Sequence, residues 1–149
     1  MKSPNHLKLK LKILEADCTT GKVTSWKFKT LEGKGLGNAK GDLDFKDKTT
    51  FDGPVWIDLT VKDATYGMSF DLDNPINIVS GKACPMNGGV AEREFVVARA
   101  LAKMLTLIDL NETDADYSYT LCFKSAQSAT GTFLLDPEIR NSGGGVVQE

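Results

Sequence analysis

The chain is poor in the side chains that build most metal and nucleophilic centres. It holds one histidine and three cysteines among 149 residues. One imidazole with scattered thiols does not give a zinc site of the usual ligand spacing. The single histidine, His6, stands at the start of the chain, where it is badly placed as the general base of a Ser–His–Asp or Cys–His relay. The sequence therefore predicts no metal site, no cofactor and no histidine-dependent catalysis.

Long apolar runs are also missing. No segment approaches the roughly 18 apolar residues that cross a membrane, and no apolar segment with a small-residue cleavage site follows Met1. Eighteen basic residues stand against twenty acidic ones, so the chain as a whole has no electrostatic reason to bind nucleic acid or acidic lipid. These observations predict a cytoplasmic protein with no membrane or nucleic-acid partner. They also predict free thiols at Cys18, Cys84 and Cys122.

Alternation of apolar and polar side chains is the strongest pattern that is present. Four segments show it most clearly: Leu7–Ile13, Val55–Val61, Tyr66–Leu72 and Tyr117–Phe123. Each alternating segment gives a strand one dry face and one wet face. About eight short strands of this kind predict an all-β fold, an immunoglobulin-like antiparallel β-sandwich. We expect a single domain over 1–141 and a glycine-rich tail over 142–149.

The region around Tyr117 resembles the tyrosine corner of immunoglobulin-like sandwiches. An apolar strand ends at Leu110, a polar, acidic turn follows, and a tyrosine-rich strand begins at Tyr117. In that motif a tyrosine hydroxyl holds the turn by bonding to the backbone. The likeness adds support for the sandwich.

Residues 91–104 fit two structures. A helix would place apolar and small residues on one face: Phe95, Ala98, Leu101, Ala102 and Leu105. The segments 95–97 and 105–108, however, have the composition of strands. Periodicity leaves a short helix and a pair of strands both open.

Glycine is concentrated in the segment 32–41, which contains a Gly-x-Gly-x-Gly string. A phosphate cradle needs a buried strand before such a string and a helix after it. The flanking residues indicate neither of these elements. The segment is interpreted as a flexible loop.

Lysine forms the wet face of the first predicted strand, at Lys8, Lys10 and Lys12. Such a row would suit an anionic docking surface. It would equally form a solvated outer face that blunts an edge strand, and this second interpretation is favoured.

The remaining reactive feature is the peptide bond between Asp136 and Pro137. The Asp136 carboxyl can attack its own main-chain carbonyl carbon to form a cyclic anhydride, and the Pro137 nitrogen then leaves as an amine. A fold accelerates this chemistry if it buries the carboxyl and supplies a proton donor, for which Glu138 is the candidate. The non-reactive interpretation is a strand end, because proline lacks an N–H for the ladder.

The last part of the chain resembles a known family. The segments 117–121 and 133–145 read Tyr-Ser-Tyr-Thr-Leu and Phe-Leu-Leu-Asp-Pro-Glu-Ile-Arg-Asn-Ser-Gly-Gly-Gly. They look like the bacterial DP-EP family, small β-sandwich proteins that end in an Asp-Pro-x-Ile-x-Asn motif followed by glycines. A more remote likeness is to the AidA/PixA inclusion-body proteins, which are also β-sandwiches with a late Asp-Pro.

The DP-EP resemblance implies self-cleavage between Asp136 and Pro137, an autoproteolytic Asp-Pro endopeptidase acting on itself. It also implies a homo-oligomer formed by exchange of a C-terminal strand or tail. The alternative is a non-enzymatic structural or binding module, such as an inclusion-body or filament subunit. A third hypothesis, carbohydrate binding by Trp26, Trp56 and Tyr66, rests on aromatic residues that more often belong to a core.

Overall fold

The computed structural model describes residues 5–45, 51, 53–63, 65–80, 95–111, 116–135 and 138–141, with the backbone alone for 79–80, 116–118 and 138–141. Within these ranges the chain is all-β and contains no helix, which confirms the predicted fold class. The predicted tail, 142–149, lies outside the described residues.

Eleven strands occur in the described part of the chain. In chain order they are β1 (Asn5–Asp17), β2 (Lys22–Glu32), β3 (Leu43–Phe45), β4 (Val55–Lys62), β5 (Ser69–Phe70), β6 (Ile76–Ser80), β7 (Phe95–Ala100), β8 (Met104–Asp109), β9 (Asp116–Lys124), β10 (Thr132–Leu135) and β11 (Glu138–Asn141).

The strands form one continuous sheet that curls into a nearly closed barrel. Its order is β3-β11-β9-β10-β2-β1-β4-β8-β7, and β5 and β6 also pair with β9. The amide of Phe70 in β5 donates to the carbonyl of Ala102, between β7 and β8, at 2.8 Å. This bond ties the two ends of the sheet together. The predicted immunoglobulin-like sandwich is therefore not confirmed.

Strand direction departs from the prediction as well. The pairs β1–β4, β10–β2 and β11–β3 are parallel, whereas the sandwich was expected to be antiparallel throughout. A parallel neighbour requires a crossover connection rather than a tight hairpin. Here β2, β3 and the loops around them supply the crossover between β1 and β4.

Strand β1 shows why alternation predicted the strands well. Leu7 and Leu11 are completely buried and Leu9 is nearly so, while the lysines between them point to the outer face of the sheet. Burying an aliphatic side chain of this size contributes about 1.5–3 kcal/mol relative to leaving it exposed. The alternating segment Val55–Val61 becomes β4 in the same way, with its apolar positions in the core.

A short helix over 91–104 was one of the two structures that the sequence left open, and it is wrong for the described residues from 95 onward. Phe95–Ala100 forms β7 and pairs with β8 in an antiparallel ladder. Phe95 is buried, but Leu101 is 43% exposed. A helix would have presented both to one apolar face, whereas the ladder buries Phe95 alone and satisfies the backbone through β8.

The connection from β4 to β5 is held by one carboxylate. Asp63 accepts hydrogen bonds from the backbone amides of Thr65, Tyr66 and Met68, at 2.9, 2.9 and 2.8 Å. Burial acts to raise the pKa of Asp63, but these three bonds outweigh it and hold the pKa below its usual value. The turn thereby places Met68 and Phe70 in the core.

Candidate functional site

The last two described strands, β10 and β11, both pair with β9 and keep one register along it. Leu135 of β10 pairs with Leu121 of β9, and Glu138 of β11 pairs with Ser118. The register of the β10–β9 ladder continues in the β11–β9 ladder. Tyr119 and Thr120 are therefore the two β9 residues between the segment that pairs with β10 and the segment that pairs with β11. The predicted residues Asp136 and Pro137, which connect β10 to β11, lie outside the described residues, and their reactivity stays a prediction.

Strand β11 occupies an internal place in the sheet. Its backbone pairs with β9 on one edge, where Ile139 faces Tyr117, and with β3 on the other, where Ile139 faces Leu43. Glu138, the predicted proton donor, is the first residue of this strand. The DP-EP resemblance implied exchange of a C-terminal strand or tail, which stays a prediction. Of that part of the chain the structure describes β11, which joins β3 to the sheet.

The β9 positions beside this junction are buried. Tyr119 is 3% exposed and Thr120 is 1% exposed. The Tyr119 hydroxyl donates to the carbonyl of Gly41 at 2.6 Å. Burial, together with the nearby Asp42 carboxylate, raises the pKa of Tyr119 well above its usual value, so the hydroxyl stays protonated and can donate.

The bond from Tyr119 corrects the expected tyrosine corner. In that motif the hydroxyl binds backbone a few residues upstream, but Gly41 lies 78 residues upstream of Tyr119. The tyrosine therefore anchors the glycine-rich segment that precedes β3. The side chain of Tyr117, the other tyrosine of the expected motif, lies outside the described side chains.

Two glycines of the glycine-rich segment approach the core closely. Gly35 and Gly41 have positive φ angles of 129° and 96°, and a Cβ added to either would lie 2.3 or 2.2 Å from the ring of Phe45 or Phe28. Glycine is required here by close approach as well as by backbone conformation. The segment is a loop, as interpreted from the sequence, and these two glycines hold it against the core where it leads into β3.

A small polar cluster lies on the other face of β9 at this junction. The Asn77 amide donates to the Cys122 thiol at 3.3 Å, and the thiol donates weakly to the Thr120 carbonyl at 3.8 Å. Asn77 and Cys122 are 2% and 5% exposed. Cys122 is a buried thiol, as predicted, and Cys18 is only partly buried.

His6 takes part in a cluster that the sequence did not suggest. Its Nε2 lies 2.6 Å from Asp58 Oδ2, and the Thr106 hydroxyl donates to Asp58 Oδ1 at 2.6 Å. Burial acts to raise the pKa of Asp58, but the bonds from Thr106 and His6 outweigh it and keep the pKa low. Because the carboxylate lies between the hydroxyl and the imidazole, His6 has no contact through which to activate Thr106. Only strand pairing could have revealed this cluster, since β1 and β4 are far apart in sequence.

The interior of the barrel is filled by side chains. An apolar cavity of about 20 Å³ lies between Leu9, Leu59 and Leu121, which is room for about one water molecule. Of the three aromatic residues considered for carbohydrate binding, Trp56 is 37% exposed, and Trp26 and Tyr66 form hydrogen bonds with the backbone. The Trp26 indole donates to the Lys40 carbonyl and the Tyr66 hydroxyl accepts from the Ala16 amide.

The described residues contain neither a cluster of metal ligands nor a membrane-spanning helix. Across the described residues, no group of three or more His, Cys, Asp or Glu side chains could hold a metal ion. The described ranges also contain no helix that is long and apolar enough to cross a membrane.

The chain is similar in structure to an inclusion-body protein. No family model matches the sequence, and no curated protein matches it. The inclusion body protein PixA from Burkholderia cenocepacia is 8% identical, with a TM-score of 0.42 over 94% of this chain and 97% of that one. The DP-EP resemblance rests on the sequence motif alone.

Proposed function

We propose that this protein is a non-enzymatic structural subunit that self-associates by exchanging β11 between copies. The observation that carries the proposal is the internal position of β11, between β9 and β3. If β11 leaves, it opens a slot with unpaired backbone on both sides, and such edges are templates for an added strand. An identical β11 from a second copy fits that slot with the same register.

The connection between β10 and β11 is short. Only residues 136 and 137 join the two strands, and both strands keep the same register on β9. An exchanged β11 would therefore form the same ladder on the β9 of a second copy. The exchanged and unexchanged forms contain the same ladder bonds, so protein concentration decides between them.

Paired cysteines test the exchange directly. Glu138→Cys with Ser118→Cys places two thiols at facing positions of β11 and β9, where Cα atoms about 4.5–5.5 Å apart allow a disulfide. The background carries alanine at the three native cysteines. After refolding at high concentration and oxidation, we expect covalent dimers on a non-reducing gel, and monomers after refolding at low concentration.

The matched control joins β10 to β9 through Thr132→Cys with Lys124→Cys. These residues also face each other, and they lie six positions from the first pair in the same ladder, so the pair geometry is equivalent. The control disulfide should stay within one chain at both concentrations. Monomers from both pairs, or dimers from both pairs alike, would contradict exchange of β11.

The second candidate function is self-cleavage between Asp136 and Pro137. The observation in its favour is that Tyr119 and Thr120, the β9 positions between the paired segments, are both buried. A carboxyl held beside them would be desolvated, which raises its pKa. Attack on its own carbonyl carbon would form a cyclic anhydride and break the bond to the Pro137 nitrogen, which takes up a proton. Water would then open the anhydride.

Intact-mass spectrometry tests self-cleavage. We expect a fragment ending at Asp136 to accumulate over days at mildly acidic pH, because the mechanism needs a protonated leaving nitrogen. Asp136→Asn and Pro137→Ala should each abolish the fragment, since one removes the nucleophile and the other the easily protonated nitrogen. An unchanged mass of the native chain would rule the reaction out and leave strand exchange untouched.

A further inference from the structure

The outer face of β1, β2 and β4 carries a dense block of lysines. Lys10 faces Lys29 and Lys12 faces Lys27 across the β1–β2 ladder, and Lys62 of β4 lies on the other side of Lys12. These five residues are called the lysine face. Like charges placed directly opposite each other in a sheet are destabilising, so the arrangement is costly in the free protein.

Among the described strand residues, no carboxylate lies directly beside or directly opposite Lys10, Lys12, Lys27 or Lys29 on this face. Along and across the strands, Lys10, Lys12, Lys27 and Lys29 have only lysine, threonine, serine and leucine beside them. The four side chains border a recess of about 170 Å³. The near-zero net charge of the chain conceals this segregation. Apart from the lysine face, 13 basic residues stand against 20 acidic ones, for a net charge of −7.

Exposed leucines follow the lysines along the chain at both ends of the block. Leu14 follows Lys12 along β1 and is 49% exposed, and Leu31 follows Lys29 along β2 and is 55% exposed. Single exposed leucines are ordinary on a protein surface. Two of them bracketing a block of lysines form a surface with separate places for anionic groups and for apolar chains.

We propose that the lysine face docks on an anionic phospholipid surface. The lysines would contact headgroup phosphates, and Leu14 and Leu31 would enter the boundary between headgroups and acyl chains. Lysine suits phosphates that it meets as a point charge. This surface is independent of β11 and of the proposed exchange.

Single-stranded nucleic acid fits the same surface less well. Its binding relies on aromatic side chains beside the basic groups, on which bases stack. Trp56 is on the same face of β4 but six residues from Lys62, about 20 Å along the strand. Trp26 alternates with Lys27 and bonds to the Lys40 carbonyl. The lysine face therefore offers charge without a stacking platform.

Vesicle sedimentation tests the proposal with the full chain. We expect the protein to pellet with vesicles of phosphatidylcholine and phosphatidylglycerol but not with phosphatidylcholine alone, and added salt should release it. Each lysine near an anionic surface strengthens binding by about fivefold. Lys12→Gln with Lys27→Gln should therefore weaken binding roughly 25-fold. Leu14→Ala with Leu31→Ala should give a smaller loss that salt does not change.

The matched control is Lys22→Gln with Lys34→Gln, which removes the same charge outside the lysine face and should weaken binding much less. Circular dichroism melting checks each variant, and Lys12→Gln with Lys27→Gln should melt no lower than the native chain, because a repulsive pair is removed. Equal losses for the two lysine pairs would overturn the proposal. A second result would also overturn it: the protein does not pellet with anionic vesicles but binds tripolyphosphate or oligothymidylate, and replacement of Lys12 and Lys27 weakens that binding.

Discussion

Replacing Gly41 by alanine is expected to destabilise the protein by about 2–5 kcal/mol. The φ angle of Gly41 is 96°, and an L-residue in a left-handed conformation costs about 1–2 kcal/mol. The new Cβ would also lie 2.2 Å from the ring of Phe28, which is 2% exposed and has no free space to move into. Overpacking of this kind costs about 1–3 kcal/mol. Any shift of the backbone would also weaken the bond from Tyr119.

Urea unfolding followed by circular dichroism measures this loss. A melting temperature lower by roughly 5–20 °C would correspond to it in a domain of this size. Gly53→Ala is the control, since a Cβ there meets no atom within 4 Å, and we expect a change within about 0.5 kcal/mol. Equal stability of the two variants would show that the segment before β3 does not pack on Phe28.

Replacing Asp63 by alanine is expected to destabilise the protein by about 2–4 kcal/mol near neutral pH. Three backbone amides would lose a charged acceptor, and the amide of fully buried Met68 would have no replacement from water. Asp63→Asn keeps one acceptor oxygen without the charge and should lose less. Asp73→Ala removes a carboxylate that is 94% exposed and serves as the control.

The loss of stability caused by Asp63→Ala depends on pH, and the lowered pKa of Asp63 determines the direction of that dependence. The pKa is lowered in the folded state from the ordinary 3.8, so the unfolded chain takes up the proton first as the pH falls. The stabilisation is therefore complete above 3.8 and is lost as the pH falls through the folded-state value. Urea unfolding at several pH values should show the native chain and Asp63→Ala converging only in acid. A constant difference would contradict the carboxylate's role.

Strands with one buried face were predictable because apolar and polar side chains alternate along them with a period of two. Leu7–Ile13 and Val55–Val61 became β1 and β4 with the expected apolar positions in the core. Pairing was not predictable, because alternation says which face of a strand is dry and not which strand lies beside it. The parallel contact between β1 and β4 and the nearly closed sheet both belong to this missing information.

The candidate junction was predictable in part. The resemblance to the DP-EP family implied exchange of a C-terminal segment, which stays a prediction, and β11 is a strand with partners on both edges. The hydrogen bond between Tyr119 and Gly41 was not predictable, because it joins residues 78 positions apart and no local pattern encodes it. The density of glycine before β3 was the available signal, and it was interpreted as flexibility because composition alone does not show close packing.

The position of β11 also affects how the fold is completed during synthesis. It is the last of the described strands in chain order, and its partner β3 was made about 95 residues earlier. Pairing over such a separation is slow, because a long loop must close before any contact forms. Until β11 leaves the ribosome, β3 has no place in the sheet and one edge of β9 is incomplete. Under the proposed exchange, neighbouring chains on one messenger RNA would meet in this state, and assembly would begin before any copy has finished folding.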